Sequence, residues 1–358
     1  MPKHTLGSHD YVQTLEGQKL RFPDFDGLVQ GWPRGINPNF EAVKEGHEDR
    51  LERLLGPGKR LDILVHATKP ALLAATFWPT SSFDALMFAA DLAAWMYIWD
   101  DELDSPELSN LHRDWDGGER LRHKTVEYLD AALSPETQGG EEYLVSTDAL
   151  PVTLASFAAV AKVATSQMAP GPRQLLLREL VRSVEASGAE QLSELSGLAP
   201  SLDEYMEIRL RTCAVVPISA TIEFMNNVDL GDELRAHPCV QRIHAEINCV
   251  IALTNDVFSL KRELKYPFYN NVIAVLYHQY HDLQIAVDKT YVMVKCSIAR
   301  LLAAEARLLE LFPGRQEEVA AFVGGAKTMI TGNITWSIQN ARYGLGISKC
   351  DGTTEIVI

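Results

Sequence analysis

Hydrophobic positions along this chain recur at helical spacing, and Pro and Gly residues separate one hydrophobic segment from the next. No alternation of period two is long enough to predict a sheet, and the sequence contains no internal repeat. The pattern therefore predicts an all-α bundle around one large apolar core. Predicted helices lie at 39–55, 60–77 (interrupted at Pro70), 83–99, 119–133, 153–168, 173–197, 201–227, 234–263, 268–304 and 315–343.

The two ends of the chain lack this pattern. Residues 1–36 are rich in Pro, Gly and aromatic residues and predict an extended arm, whereas residues 37–345 make up the helical domain. We expect residues 346–358 to form an exposed tail and residues 134–151 a surface insertion. The first residues contain no apolar signal region, and no uninterrupted apolar run approaches the ~20 residues that a membrane span needs.

Composition narrows the possible partners. With 358 residues, 46% of them hydrophobic, the chain can bury a large core. A net charge of −15 and the lack of a long basic run argue against nucleic acid, while an anionic small molecule would need local cations to hold it. The five scattered cysteines form no CxxC pair, which predicts neither a zinc site nor a disulfide framework. We therefore expect reduced thiols and a cytoplasmic protein.

An acidic segment at residues 99–104 (WDDELD) follows the apolar helix predicted from Phe83. Asp100 and Asp104 are four residues apart and project from one helix face, while Asp101 is rotated by about 100°. Carboxylates this close repel one another unless a cation lies among them, and their oxygens suit Mg²⁺. The segment alone is compatible with a metal site or with a solvated acidic helix end.

A second polar group occurs in the helix predicted at 234–263, after an apolar segment. Asn255, Ser259 and Glu263 are spaced four residues apart and share one helix face. They offer an amide oxygen, a hydroxyl and a carboxylate, which are all suitable ligands for a hard cation. Asp256 lies off this face, so we do not expect it to be a direct ligand. The alternative is a polar helix end that meets solvent.

Together the two segments resemble the class I terpene synthases of fungi and bacteria. Asp-Asp-x-x-Asp ends one apolar helix, and Asn-Asp-x-x-Ser-x-x-x-Glu follows on another helix more than a hundred residues later. The resemblance covers roughly residues 60–345. Further matches are Arg209 at the position of a diphosphate-sensing arginine (with Arg211 as the competing candidate), Asn271-Val272 after the second motif, and Arg342-Tyr343 after the last core helix, whereas Thr212-Cys213 depart from the family pattern.

The resemblance implies a single helical bundle around an apolar pocket, in which an allylic prenyl diphosphate is ionised with the help of three Mg²⁺ ions, or Mn²⁺ in their place. Such ions stabilise the charge that develops on the leaving group. The implied metal ligands are Asp100, assisted by Asp101 or Asp104, together with Asn255, Ser259 and Glu263. The implied diphosphate donors are Arg209, Lys261 or Arg262, Arg342 and Tyr343, with Arg262 favoured because it directly precedes the glutamate. Glu102 is not part of the motif.

The single-domain form of the family implies farnesyl diphosphate as the substrate and a sesquiterpene hydrocarbon or alcohol as the product, made by a monomer or homodimer. The carbocation needs an apolar, aromatic lining that excludes water. Candidate lining residues are Phe77, Trp78, Trp95, Tyr97, Trp99, Phe224 and Trp336, although aromatic residues at helical spacing often belong simply to the core. We favour Phe77, which precedes a helix break, and Trp336, about two turns before Arg342.

Three other functions are compatible with parts of the pattern. A prenyl chain-elongating synthase shares the fold and the first motif, but such enzymes have a second aspartate-rich motif where this chain has the asparagine, serine and glutamate. A metal-dependent phosphohydrolase would usually add histidine ligands, and the ten histidines lie away from both motifs. A non-catalytic helical scaffold would leave both polar groups without a purpose.

Overall fold

The computed structural model describes residues 14–15, 17–134, 150–264 and 270–358. Regular structure in these residues is almost entirely helical, which confirms the all-α prediction. Most of the predicted insertion at 134–151 lies outside the described residues. The α-helices are α1 (Phe25–Leu28), α2 (Phe40–Leu55), α3 (Lys59–Asp62), α4 (Pro70–Phe77), α5 (Phe83–Asp104), α6 (Trp115–Leu133), α7 (Val152–Ala155), α8 (Ala158–Gln167), α9 (Pro170–Ser196), α10 (Leu202–Thr212), α11 (Val215–Ser219), α12 (Ile222–Met225), α13 (Gly231–Ala236), α14 (Pro238–Glu263), α15 (Val272–Tyr280), α16 (Leu283–Leu311) and α17 (Gln316–Gln339).

Shorter elements complete the chain. A π-helical turn at Ile63–Thr68 follows α3, and a 3-10 turn at Leu111–Arg113 precedes α6. Strands β1 (Lys19–Arg21) and β2 (Glu355–Val357) form a two-stranded antiparallel sheet. No helix within these described ranges is both long and apolar enough to cross a membrane.

Side-chain caps explain several helix boundaries. The Ser82 hydroxyl accepts a hydrogen bond from the Ala85 amide and begins α5. At α10, Ser201 and Glu204 satisfy each other's backbone amides in a capping box. These caps give defined starting points to the helix of the first motif and to the helix that carries Arg209.

Three predicted long helices are divided in the structure. The prediction of one helix at 268–304 is wrong, because His281 adopts a left-handed conformation and Asp282 caps α16 by accepting from the Ile285 amide. The segment predicted at 201–227 breaks at Cys213 into α10, α11 and α12. The helix predicted at 234–263 starts only at Pro238, which lacks an amide hydrogen and therefore suits the first turn of α14.

Residues 17–36 of the arm and the C-terminal tail pack against the bundle, which corrects the expectation of an exposed tail. Leu20 of β1 pairs with Ile356 of β2, and both side chains are buried in the apolar core. Phe22 and Cys350 are also buried. Residues 346–358 thus close over the arm because each segment contributes apolar side chains and backbone partners that the other lacks. The domain boundaries themselves remain predictions.

Close helix packing surrounds a central cavity. Helix α4 packs between α5 and α17, and α14 packs against α16 and α17. The α4–α17 contact depends on Gly332, because a Cβ atom at this position would lie 2.5 Å from the Thr76 carbonyl oxygen. Gly324, on the same helix, has no atom within 4 Å of an added Cβ.

We expect Gly332→Ala to lower the free energy of unfolding by about 1–3 kcal/mol, because the added methyl group forces α17 away from α4. The matched variant Gly324→Ala should leave stability unchanged or raise it by up to ~1 kcal/mol through helix propensity. Urea denaturation followed by circular dichroism measures both. Equal midpoints for the two variants would contradict the close-contact interpretation.

Candidate active site

One cavity is lined by residues from α5, α9, α14 and α17, with the ends of α10 and α11 beside them. Along α5 the lining changes from Trp95 and Tyr97 to the carboxylates of the first motif, and along α14 it changes from Ile251 to the second motif. The polar residues therefore occupy one end of the cavity and the apolar residues the other. The predicted site residues that line it are Asp100, Asp101, Asp104, Arg209, Asn255, Ser259, Arg262, Glu263, Arg342 and Tyr343.

A chain of hydrogen bonds joins three of these residues from distant parts of the sequence. The Arg209 guanidinium Nη2 donates to Asn255 Oδ1 over 2.9 Å. Asn255 Nδ2 in turn donates to the Tyr343 hydroxyl over 2.6 Å. The structure thus connects α10, α14 and the segment after α17 at the polar end of the cavity.

Asp256 holds the first member of this chain of hydrogen bonds, Arg209, in place. Its fully buried carboxylate accepts from Arg209 Nε and Nη2 over 3.0 and 2.8 Å, and from the Tyr205 hydroxyl over 2.5 Å. The Val272 amide also donates to it, over 2.9 Å. Burial, with the Asp256 charge next, raises the pKa of Tyr205 well above its usual value. Asp256 is therefore saturated with donors, in agreement with its exclusion as a direct ligand.

The competing candidate Arg211 lies outside the cavity. Its side chain is 64% exposed and pairs with Glu207 one turn earlier, over 3.2 Å. By contrast, the Arg209 side chain is only 17% exposed and reaches the second motif. The structure therefore favours Arg209 as the arginine of the site.

Arg342 lies at the opposite side of the polar end, beside the first motif. Its Nη2 atom is 3.7 Å from Asp101 Oδ1, and its guanidinium lies 5.1 Å from the centre of the Tyr97 ring. Although burial favours the neutral form, the Asp101 carboxylate helps to raise the pKa of Arg342 above its usual value. Asp101 thus acts as the counter-ion of Arg342, which leaves Asp100 and Asp104 as the carboxylates of the motif that are more available to an ion.

Acidic side chains crowd the cavity mouth. Desolvation by the surrounding protein, and then the charge of Asp101, raises the pKa of Asp100 to about 6. Desolvation and the charge of Asp100 also raise the pKa of Asp104 well above its usual value. The second-motif carboxyl of Glu263 has a raised pKa through burial and the Asp256 charge. These groups cannot all ionise together at low cost unless cations enter the mouth.

Two further carboxyl groups at this mouth were not predicted from the sequence. Glu190 and Glu194 lie one turn apart on α9, and burial raises their pKa values to about 7 and about 8. Glu194 accepts a hydrogen bond from Asn270. A signal for them exists in the sequence, because Leu180, Val184 and Ser187 at helical spacing lead to the two glutamates along one face of α9.

The donor set fits a hard divalent cation. The Ser259 hydroxyl is buried and has no hydrogen-bond partner among the described residues, although it faces a cavity that carboxylates surround. In the same residues, no three Asp, Glu, His or Cys side chains converge on one metal-sized position. Mg²⁺ is usually held by one or two carboxylates together with substrate phosphates, so a site completed by an anionic substrate suits this arrangement.

The neighbouring residues Arg262 and Lys261 face different surroundings. Arg262 lines the polar end, whereas Lys261 is exposed and donates from Nζ to the Val357 carbonyl over 2.8 Å. Lys261 is therefore removed from the candidate substrate contacts. Glu102, which the motif excludes, pairs with Arg60 over 2.6 Å.

The apolar end contains five of the seven candidate aromatic residues, which are Phe77, Trp95, Tyr97, Trp99 and Trp336. Two indole groups are anchored behind the wall: Trp95 Nε1 donates to the Thr153 carbonyl over 2.9 Å and Trp99 Nε1 to the Thr125 hydroxyl over 3.0 Å. Trp78 and Phe224 do not line the cavity, and Phe224 packs edge-on against Phe88 instead. Both belong to the surrounding packing.

Comparisons with known proteins agree with this geometry. A family model for the C-terminal metal-binding domain of terpene synthase family 2 matches residues 91–300. Sesquiterpene cyclase hepA of Aspergillus oryzae is 25% identical over 96% of this chain and 95% of that protein. Germacrene A synthase of Nostoc punctiforme is 28% identical over 76% of this chain and 80% of that protein. The solved structure of α-eudesmol synthase, at 19% identity, shares the fold with a TM-score of 0.72 over 86% of this chain and 97% of that one.

We expect Asp256→Asn to lower the free energy of unfolding by roughly 3–5 kcal/mol, because Arg209 and Tyr205 lose a buried anionic partner. The control Glu207→Gln removes the exposed partner of Arg211 on α10. It should lower the free energy of unfolding by at most about 1 kcal/mol. Chemical denaturation of both variants tests this. A similar small effect in both would show that the buried pair does not stabilise the fold.

Proposed function

This chain belongs to the terpene synthase family, and from that membership we propose that it is a Mg²⁺-dependent sesquiterpene synthase. It would ionise farnesyl diphosphate, release diphosphate and cyclise the carbocation to a sesquiterpene hydrocarbon or alcohol. The observation that carries the proposal is one cavity whose mouth combines both acidic motifs with three arginines and whose interior is aromatic. The charged mouth alone or the aromatic interior alone would be compatible with other functions. The proposed chemistry requires both in one cavity.

The residues at the mouth divide into two roles. Asp100 and Asp104 would hold ions on one side, and Asn255, Ser259 and Glu263 would hold an ion on the other. Bound ions supply Lewis-acid stabilisation of the diphosphate leaving group. The direct donors to diphosphate would be Arg209, Arg262, Arg342 and Tyr343, through charge-assisted hydrogen bonds and a hydroxyl.

Ligand binding would exchange hydrogen bonds within the mouth. Asn255 Oδ1 now accepts from Arg209 Nη2. If this guanidinium nitrogen turns to a diphosphate oxygen, the Asn255 oxygen becomes free for an ion, while Arg209 Nε can remain on Asp256. Diphosphate and metal binding would therefore favour each other.

The apolar end would protect the carbocation. Phe77, Trp336 and the aromatic residues of α5 present apolar surface and π-faces, which exclude water and stabilise positive charge. Restricting solvent to the mouth would keep water from reacting with the carbocation before it cyclises.

Relatives support the fifteen-carbon substrate, because the two curated proteins described above are named sesquiterpene cyclase and germacrene A synthase. The second motif, with Asn255 and Ser259, favours cyclisation over chain elongation. Among the described residues that line the cavity, no histidine is present. This lining offers no support for a phosphohydrolase with histidine ligands.

Incubation with Mg²⁺ and farnesyl diphosphate should yield a volatile sesquiterpene hydrocarbon or alcohol together with diphosphate, detected by gas chromatography–mass spectrometry. Chelation of the metal, or Asp100→Asn, should nearly abolish the product because the leaving group then lacks charge stabilisation. Formation of a longer prenyl diphosphate after addition of isopentenyl diphosphate would indicate elongation. Phosphate without an organic product would indicate hydrolysis.

We expect Ser259→Ala to raise the Mg²⁺ concentration needed for half-maximal activity by roughly tenfold, through loss of one ligand oxygen. Thermal stability should change little, since the hydroxyl has no partner to lose. The matched control is Ser337→Ala, because Ser337 is also a buried serine without a hydroxyl partner among the described residues but does not line the cavity. An unchanged Mg²⁺ requirement in Ser259→Ala would remove Ser259 from the ligand set.

A further inference from the structure

We propose that Thr68 is a positioning residue that fixes the Arg342 guanidinium and the Trp336 ring relative to each other. The inference rests on the proposed function, in which Arg342 contacts diphosphate and Trp336 forms part of the hydrocarbon wall. Thr68 itself does not line the cavity. Its role would be to couple the position of the leaving group to the shape of the apolar end.

An irregular backbone segment places Thr68. The chain leaves α3 through the π-helical turn at Ile63–Thr68, which the Lys69 amide closes by donating to the Leu64 carbonyl over 2.7 Å. Lys69 then adopts a left-handed conformation with φ of 53°, and Pro70 begins α4. A π-turn followed by a left-handed lysine is unfavourable in isolation, so the surrounding contacts must maintain it.

This break leaves the Thr68 carbonyl free of the helix. In a continuous α-helix the Leu72 amide would donate to it, but here the Leu72 amide donates to the Lys69 carbonyl over 3.0 Å. Pro70 has no amide hydrogen to offer. The Thr68 carbonyl instead accepts from Trp336 Nε1 over 3.0 Å, which fixes the indole of the cavity wall.

The side chain of Thr68 serves the second partner. Its hydroxyl oxygen accepts from Arg342 Nη1 over 2.8 Å, and the residue is fully buried. Two other buried threonines use the hydroxyl locally: Thr76 donates to the Leu73 carbonyl and Thr290 to the Ala286 carbonyl, each over 3.0 Å. Thr68 differs because its hydroxyl accepts from a charged group.

The two partners of Thr68 face different parts of the substrate. Arg342 lies beside Asp101 and over the Tyr97 ring, at the polar end. Trp336 lies at the apolar end, and its ring and the Tyr343 ring form a T-shaped pair with 5.7 Å between centroids. One residue with two acceptor oxygens thus links the donors at the mouth to the wall of the cavity.

The test compares Thr68→Val, which removes only the hydroxyl, with Thr68→Ser, which keeps it. In Mg²⁺ buffer, Thr68→Val should raise the inhibition constant of inorganic diphosphate and the KM for farnesyl diphosphate by about tenfold, because a charge-assisted hydrogen bond no longer orients Arg342. Thr68→Ser should stay within about twofold of the wild type. The matched control Thr290→Val removes a buried hydroxyl that does not line the cavity and should change neither constant.

A double-mutant cycle with Arg342→Gln tests whether Thr68 acts through Arg342. The effects of Thr68→Val and Arg342→Gln on the diphosphate inhibition constant should be strongly non-additive. Additive effects, or an inhibition constant for Thr68→Val equal to that of the wild type, would overturn the proposal. If Thr68→Val does not fold, Thr68→Ala removes the same hydroxyl without a branched side chain and enters the same cycle.

The outcome is distinguishable from failure of the proposed function. A wild-type enzyme that makes no terpene from farnesyl diphosphate would contradict the function itself. A wild-type enzyme that cyclises normally, with Arg342→Gln leaving diphosphate inhibition unchanged, would instead remove Arg342 from the leaving-group contacts and overturn the role of Thr68.

Discussion

The buried carboxylate of Asp256 is the interaction on which the arrangement of the site depends. A single charge with no solvent exposure is tolerated only because Arg209, Tyr205 and the Val272 amide all donate to it. These donors come from α10 and α15, while the charge belongs to α14. The same contact that satisfies a buried charge therefore fixes the arginine that reaches the second motif.

Charge compensation at the mouth of the cavity is incomplete. Three arginines face several carboxyl groups, and desolvation together with the neighbouring acidic groups raises the pKa values of Asp100, Glu190 and Glu194. Such a site costs stability when it contains only protein groups, and cations with an anionic substrate would relieve that cost. The cost of crowding these charges and the proposed affinity for metal and diphosphate are thus two consequences of one arrangement.

Helical periodicity and motif spacing predict the bundle, the two motifs and the aromatic wall, because these features depend on residues close together in sequence. The structure adds what depends on distant contacts. Arg262 lines the cavity, whereas Lys261 donates to the Val357 carbonyl, almost a hundred residues away from the lysine. The left-handed conformation of His281, with the break it makes between α15 and α16, also has no strong local signal. The tail is buried because β1, at the other end of the chain, supplies its partner.

The position of each residue along a helix sets its distance from the two ends of the cavity. On α5 the change from aromatic to acidic lining occurs within one turn, between Tyr97 and Asp100, so the same rigid element carries the apolar wall and the carboxylates that we propose as ion ligands. On α14, Ile251 and Asn255 stand in the same relation. Because a helix does not stretch, the apolar wall keeps a fixed distance from the charges that would gather the leaving group. Trp336 and Arg342 lie on either side of the end of α17 and lack this rigid connection, and the contact of both with Thr68 provides one.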